Sequence, residues 1–302
     1  MKSVSILIPV FNEAENVDRA YEAVTRVFRS LADRYAYEIL FTDNHSTDGT
    51  YDLLQAIAAR DSRVRVVRFS KNFGLQQSIF AGYALSQGDA AVQLDCDLQD
   101  PPEMIPQFLA AWEEGYQVVY GVRRSRNESR LIALARRIFY RLMRRIGNDP
   151  LPLDAGDFRL VDRRLLREIT KFWDYNPFLR ASIAWMGFRQ KGIPYDRAGR
   201  AAGESKFSFA GMASFALDGL VAHSILPLRL ATYAGFTVGA LAVAGFLFYL
   251  VGKFAFGQSW PVGLTTVLLL LMISISMNGL FLGVIGEYLG RLYLQSKGRP
   301  VV

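Results

Sequence analysis

Apolar and polar positions alternate in two rhythms over the first 125 residues. Val4–Val10 is apolar and β-branched, the mark of a strand covered on both faces. A helix follows from about Ala14 to Arg34, with Asn12 as its N-cap and Glu15 in capping-box spacing. Tyr37–Thr42, Val64–Phe69, Ala90–Leu94 and Gln117–Val122 read as further strands. Thr50–Arg60, Leu75–Ser86 and Pro102–Glu114 read as the helices between them. Strand–helix alternation predicts an α/β fold: a mostly parallel, Rossmann-like sheet with helices on both faces and right-handed crossovers.

Beyond residue 125 the rhythm changes. From 128 to 147 six arginines, from Arg130 to Arg145, are interleaved with Leu131, Leu134, Ile138, Leu142 and Ile146 at helical spacing. Such a basic amphipathic helix lies in a headgroup layer or packs on the domain surface. A second amphipathic stretch, Phe207–Ser224, falls in a juxtamembrane helix expected at 207–228. No charged residue occurs in 230–252 or 254–286. Each run supplies the ~20 apolar residues that cross a bilayer core, so membrane helices are expected at 229–252 and 262–286. The chain thus divides into a domain at 1–206, interfacial helices, two spans and a basic tail at 287–302. Arg229, Arg291, Lys297 and Arg299 flank the spans, and the connecting loop offers only Lys253. The positive-inside rule then places both termini in the cytoplasm of a multi-pass protein of the inner cell membrane.

Composition narrows the classes. Of 302 residues, 51% are hydrophobic, which agrees with a membrane part. The net charge of +7 comes largely from arginines beside the membrane-like segments, so anionic lipid and anionic substrates explain it better than nucleic acid. Met1-Lys2 runs straight into a strand, without a signal-peptide pattern. A single cysteine, Cys96, allows no internal disulfide and fits a reducing compartment. His45 and His223 are the only histidines and sit in no ligand cluster, which disfavours zinc. No phosphate-loop motif of ATP-driven transporters is present.

The candidate chemistry collects at strand ends, where parallel α/β sheets bind ligands. After Ala90–Leu94 the chain reads Asp95-Cys96-Asp97-Leu98-Gln99-Asp100-Pro101-Pro102. Period-two alternation would point Asp95 and Asp97 the same way, as a divalent metal holding a diphosphate requires. Asp100 reads as the N-cap of a helix opening with Pro101. The first strand end supplies Pro9, Val10, Asn12 and Glu13. The second supplies Asp43, placed to accept from a base or ribose, and Asp48, which either joins it or only caps the next helix.

These three segments together resemble the family 2 glycosyltransferases, which have the GT-A fold. The resemblance implies nucleotide-sugar contacts from Pro9, Val10, Asn12, Glu13, Asp43 and Asp95, and a Mg2+ or Mn2+ ion held by Asp95, Asp97 and Gln99. Many relatives have Asp-Gly in the second motif, where this chain has Asn44-His45. Further stretches resemble the polyprenyl-phosphate branch, which includes the bactoprenol glucosyltransferases and, more distantly, the dolichyl-phosphate mannose synthases. They are Arg123-Arg124-Ser125-Arg126-Asn127-Glu128-Ser129, Gly156-Asp157-Phe158-Arg159-Leu160, Arg200 to Phe207, and Gly286 to Arg291. The resemblance implies that Arg123, Arg126, Arg200, Ser205 and Lys206 meet the diphosphate or acceptor phosphate. It puts Asp157 with Asp97 in a catalytic role and implies a tetramer. Lys206 could equally snorkel toward headgroups, and Asp157 could be a structural partner of Arg159.

The expected activity is inverting transfer of a hexose, glucose from UDP-glucose, to a polyprenyl phosphate at the cytoplasmic membrane face for cell-envelope glycosylation. The alternatives are another donor, GDP-mannose or a UDP-linked modified pentose, and a non-catalytic membrane assembly or flipping partner. Partners are therefore a nucleotide sugar, a polyprenyl lipid and the membrane, without nucleic acid.

Overall fold

The computed structural model describes residues 1–124, 155–171, 177–196, 226–255 and 263–297. The chain divides into two compact units, Met1–Ser214 with Gly298–Val302, and Phe215–Lys297. Elements of the first unit are β1 (Lys2–Val10), α1 (Val17–Arg29), β2 (Tyr35–Asp43), α2 (Thr50–Arg60), β3 (Val64–Arg68), α3 (Leu75–Leu85) and β4 (Ala90–Gln93). A 3-10 turn at Pro102–Met104 leads into α4 (Ile105–Glu113). Then come β5 (Val118–Arg123), β6 (Ala155–Asp162), α5 (Arg163–Ile169), α6 (Leu179–Trp185) and β7 (Gln190–Tyr195).

Seven strands form one sheet in the order β3-β2-β1-β4-β6-β5-β7. Pairing is parallel except that β6 runs antiparallel to both β4 and β5. The mostly parallel α/β expectation therefore holds. Side-chain alternation sorts the apolar residues into two layers. Ile6, Ile8, Ile39, Phe41, Val92 and Leu160 enter the core that also holds Phe28 and Phe108. Their neighbours Leu7, Leu40, Ala91 and Val161 enter the opposite core with Ile79, Tyr83 and Leu165.

The expected first helix shortens at both ends. Asn12 is not its N-cap: that place is Asn16, and Asn12 sits at φ 54 with its side chain engaged elsewhere. Asp100 does not cap a helix either, because the cap position is Pro101 and the Asp100 carboxylate is buried. The strand before the acidic pair ends at Gln93, so Asp95 and Asp97 belong to a turn, with Leu98 at φ 53. Period-two alternation does not orient them.

The second unit contains α7 (Leu226–Ala255) and α8 (Leu264–Ser296). Both are long and apolar enough to cross a membrane, with mean hydropathy of 1.3 over Leu228–Gly245 and 1.6 over Leu270–Ser296. At ~1.5 Å per residue each exceeds the ~30 Å hydrocarbon core. α8 continues ten residues past 286, carrying the Glu287–Arg291 ion pair at 3.4 Å. Phe281 packs where Gly235 leaves space, 3.6 Å from the position of an added Cβ. The basic stretch at 128–147 and most of 207–228 lie outside the described residues.

Candidate active site

Sheet order reverses between β1 and β4, the switch point outside whose carboxyl ends open α/β sheets form their ligand crevice. β4 pairs with β1 only as far as Leu7↔Gln93, after which Leu94 N–H donates to the Leu7 carbonyl at 2.9 Å. Pro9 has the same strand parity as Leu7, so its missing N–H falls on the β4 side, where no partner strand continues. A proline is tolerated at this one position of a central strand.

One wall of the crevice is built by the β1 and β2 ends. Val10 pairs with Asp43, and Val10 C=O accepts from Asn44 N–H at 2.9 Å. Asn12 Oδ1 accepts from Thr47 N–H at 2.9 Å, while Ser46 Oγ accepts from Asn12 N–H at 2.9 Å. Glu13 N–H donates to Thr50 Oγ1 at 2.9 Å. Asn12 and Glu13 are thereby tied to the loop after β2. Asp43 is fully buried; its Oδ1 accepts from Ser46 N–H at 3.0 Å and its Oδ2 lies 3.4 Å from Arg68 Nε. Arg68 also stacks 4.2 Å over the Tyr51 ring. Asp48 accepts from Thr50 N–H at 3.1 Å and Ala14 N–H at 3.3 Å, tying the start of α2 to the chain after β1, while the N-cap position itself is Gly49. Asn44 accepts from Phe73 N–H at 2.8 Å, and His45 Nδ1 lies 3.1 Å from the Phe69 carbonyl. The unusual Asn-His pair thus joins the loop after β2 to the chain beyond β3.

The other wall is the acidic turn. Gln93 Nε2 donates to Asp95 Oδ1 at 2.9 Å, and Gln99 N–H donates to Asp97 Oδ1 at 3.1 Å. Gln93 pairs with Arg159 across β4 and β6, so two residues further the antiparallel register brings Asp157 level with Asp95. Asp157 accepts from Arg180 Nε and Nη2, both at 2.7 Å, and lies 3.9 Å from Arg159. Arg180, not Arg159, is its principal partner. Burial alone would raise the Asp157 carboxyl, but the charges of Arg180, Arg159 and Arg123 and the Arg180 hydrogen bonds outweigh it and hold it at about 2. Burial and the charges of Asp100, Asp157 and Asp97 push Asp95 the other way, to about 7, against Arg123.

Arg123 is engaged at the turn's far end. Its Nη2 lies 3.4 Å from Asp100 Oδ2, and its Nε donates to Tyr195 Oη at 3.1 Å. Tyr195 Oη in turn donates to Asp100 Oδ1. Gln93, Arg68, Arg180 and Tyr195 escaped the sequence reading, since none sits in a local motif. Arg126, Arg200, Ser205 and Lys206 lie outside the described residues.

The donor set suits a divalent cation. The charges of three carboxylates, Asp97, Asp100 and Asp157, act on Asp95, with Arg123 as the countering charge. A cation would relieve the strain that raises Asp95. Among the described residues no three His, Cys, Asp or Glu side chains form a group that could hold a metal. One or two carboxylates completed by phosphate oxygens and water is the arrangement Mg2+ commonly takes.

The family described as "Glycosyl transferase family 2" matches residues 5–170. An uncharacterized glycosyltransferase of Bacillus subtilis strain 168 is 37% identical, over 98% of this chain and 91% of that protein. The bactoprenol glucosyl transferase of Shigella phage SfV is 34% identical, over 98% of this chain and 96% of its own. Among solved structures, a mannosyltransferase of Pyrobaculum calidifontis, in complex with GDP-Man and Mn2+, aligns over 95% of this chain and 86% of its own. Its TM-score is 0.52 at 17% identity, a likeness of fold.

Proposed function

This chain belongs to glycosyl transferase family 2, and on that footing we propose that it transfers a hexose, glucose from UDP-glucose, to the phosphate of a polyprenyl phosphate. The observation that carries the reading is the carboxylate cluster at the switch-point crevice, facing the wall that holds Asp43. Similarity along nearly the whole chain to bactoprenol glucosyl transferases supports the lipid acceptor. α7 and α8 support a membrane enzyme, and the flanking arginines support a cytoplasmic site.

Asp95, Asp97 and Gln99 would hold Mg2+ or Mn2+, which supplies charge neutralisation for the departing diphosphate. Asp43 and the Pro9–Glu13 segment would hold the nucleoside. An acceptor phosphate oxygen attacks the anomeric carbon as the bond to the diphosphate oxygen breaks, and the electron pair leaves with the nucleoside diphosphate. A phosphate monoester is largely ionised above its second pKa of ~6, so no base is needed. Asp157, held at about 2 by its arginines against burial, is ill suited to carry a proton and acts by orientation and charge. Arg126, Arg200, Ser205 and Lys206 are the groups proposed for the acceptor phosphate.

The test is the purified full-length protein in lipid nanodiscs, with a panel of sugar nucleotides and one polyprenyl phosphate. Lipid-linked β-glucose from UDP-glucose, lost on chelation, is the expected product. Absence of lipid-linked product from every donor would overturn the reading, and an α-linked product would overturn single displacement.

A further inference from the structure

We propose that Tyr195 is a positioning residue for the transfer reaction: its hydroxyl ties the acidic turn to the ends of β5 and β7. The proposal rests on the functional reading above. Three chain segments meet at this point. Asp100 closes the turn that begins at Asp95. Arg123 is the last residue of β5, and the chain beyond it carries Arg124, Arg126 and Arg130. Tyr195 is the last residue of β7, and the chain beyond it carries Arg200 and Lys206. β5 and β7 pair in parallel with Arg123 opposite Tyr195, and Arg124 N–H donates to the Tyr195 carbonyl at 2.9 Å.

The meeting point is built for these side chains. Asp100 is 0% exposed and Tyr195 5%. A Cβ on Gly121 would lie 2.6 Å from Tyr195 Cε1, and one on Gly156 would lie 3.2 Å from Arg123 Nη2. Glycine at both positions leaves room for the ring and the guanidinium. The Tyr195 ring packs edge-on to Phe158, with centroids 6.0 Å apart. A phenylalanine would fill that space equally well. Replacing the whole polar trio by well-packed apolar groups need not cost stability, whereas removing the hydroxyl alone deprives the buried Asp100 carboxylate of one donor. What the trio adds is fixed geometry.

The turn is held at two ends. Gln93 anchors Asp95 at the near end, and Tyr195 with Arg123 anchors Asp100 at the far end. Asp97 lies between them. If the far anchor is released, Asp97 loses its fixed position relative to the ends of β5 and β7. A misplacement of ~1 Å in such a site can cost ~100-fold in rate.

The experiment is Tyr195→Phe in the full chain, against the wild type. Transfer to polyprenyl phosphate should lose roughly 10- to 100-fold in kcat, while KM for the sugar nucleotide stays near wild type and the melting temperature falls by only a few degrees. The double variant Tyr195→Phe with Asp100→Asn should be no slower than Asp100→Asn alone, since the hydroxyl acts through that carboxylate. Backbone amides at 97–100 should exchange with solvent faster in Tyr195→Phe. Wild-type kcat, a kcat loss that only tracks melting, multiplicative double-variant effects, or unchanged exchange of the turn would each overturn the proposal. A wild type that leaves polyprenyl phosphate unglycosylated would sink the functional reading instead, and amide exchange would still decide whether Tyr195 holds the turn.

Discussion

Replacing Arg180 with alanine should destabilise the first unit more than any ordinary surface charge would. Arg180 gives Asp157 two charge-assisted hydrogen bonds at 2.7 Å, and the two side chains are 25% and 11% exposed. Removing one partner of a buried pair costs ~3–5 kcal/mol. Arg159 remains 3.9 Å away and keeps part of the compensation, which points to the lower end. The carboxyl's shift from 3.8 to about 2 gives an independent figure of ~2 kcal/mol, at ~1.4 kcal/mol per pKa unit. Both routes lead to about 2–3 kcal/mol, or a melting temperature lowered by roughly 4–12 °C for a unit of this size. The folded pKa is depressed, so this contribution is present above the unfolded value near ~3.9 and is lost as pH falls through about 2. The variant should therefore lag at neutral pH and converge on the wild type in strong acid. Tryptophan-monitored thermal unfolding of ligand-free protein reads the effect. Arg180→Lys should recover part of it, because lysine keeps the charge and loses the fork. The Asp157→Asn/Arg180→Ala double variant should lose less than the sum of the singles. An Arg180→Ala protein that melts with the wild type at neutral pH, or strict additivity, would refute the assignment of Arg180 as the partner that sustains Asp157.

Further expectations concern other parts of the unit. Gly88→Ala should fail to accumulate as folded protein, since its Cβ would lie 2.6 Å from Ser5 N and 2.9 Å from the Ala90 carbonyl, both backbone; normal yield and melting would contradict this. Asp61 is held at about 2, chiefly by the Arg63 side-chain hydrogen bonds; Arg63 is half exposed, so Asp61→Asn should cost only about 1 kcal/mol above pH ~4 and nothing near pH ~2. A stability gap that grows on acidification would be the wrong sign. Asp97→Ala should abolish metal-dependent sugar transfer, and unchanged transfer would sink its role. Lys206→Ala should raise KM for the lipid phosphate and spare that for the sugar nucleotide; equal rises would argue against an acceptor role.

Much of this architecture is legible in the sequence. α2 begins and ends where the pattern places it, at Thr50 and Arg60, and β1 to β5, five strands, follow from apolar runs bounded by turn residues. Other features are hidden for physical reasons. β7 contains Gly192 and Pro194, which argue against a strand, yet it lies at the sheet edge, where proline is tolerated. β6 carries Asp157 and Arg159 inside an apolar run, and their burial depends on partners outside the strand. Asn12 has the right type and spacing for a cap, but its side chain is taken by Thr47, 35 residues away. Arg180 and Tyr195 act on carboxylates 23 and 95 residues distant, a relation no local window contains.

The reversal of β6 explains how the site can be assembled at all. In a wholly parallel sheet every strand would begin at the edge opposite the crevice, and a residue early in a strand would lie several residues, at ~3.3 Å each, from the ligand side. β6 runs antiparallel between β4 and β5, so its beginning lies where theirs end. Asp157, the third residue of β6, therefore stands level with Asp95. The same reversal threads Arg159 beneath it, with Nη2 donating to the Gly156 carbonyl at 2.8 Å. A carboxylate brought this close to Asp95 raises the cost of ionising it. Arg180 directs two 2.7 Å bonds to Asp157, and Arg123 is the positive charge that acts against the neighbouring carboxylates on Asp95. Among the described residues, Arg180 pairs with Asp157 and Arg123 with Asp100. On the proposed reading, a divalent ion held by Asp95 and Asp97 would offset the carboxylate charge that raises Asp95.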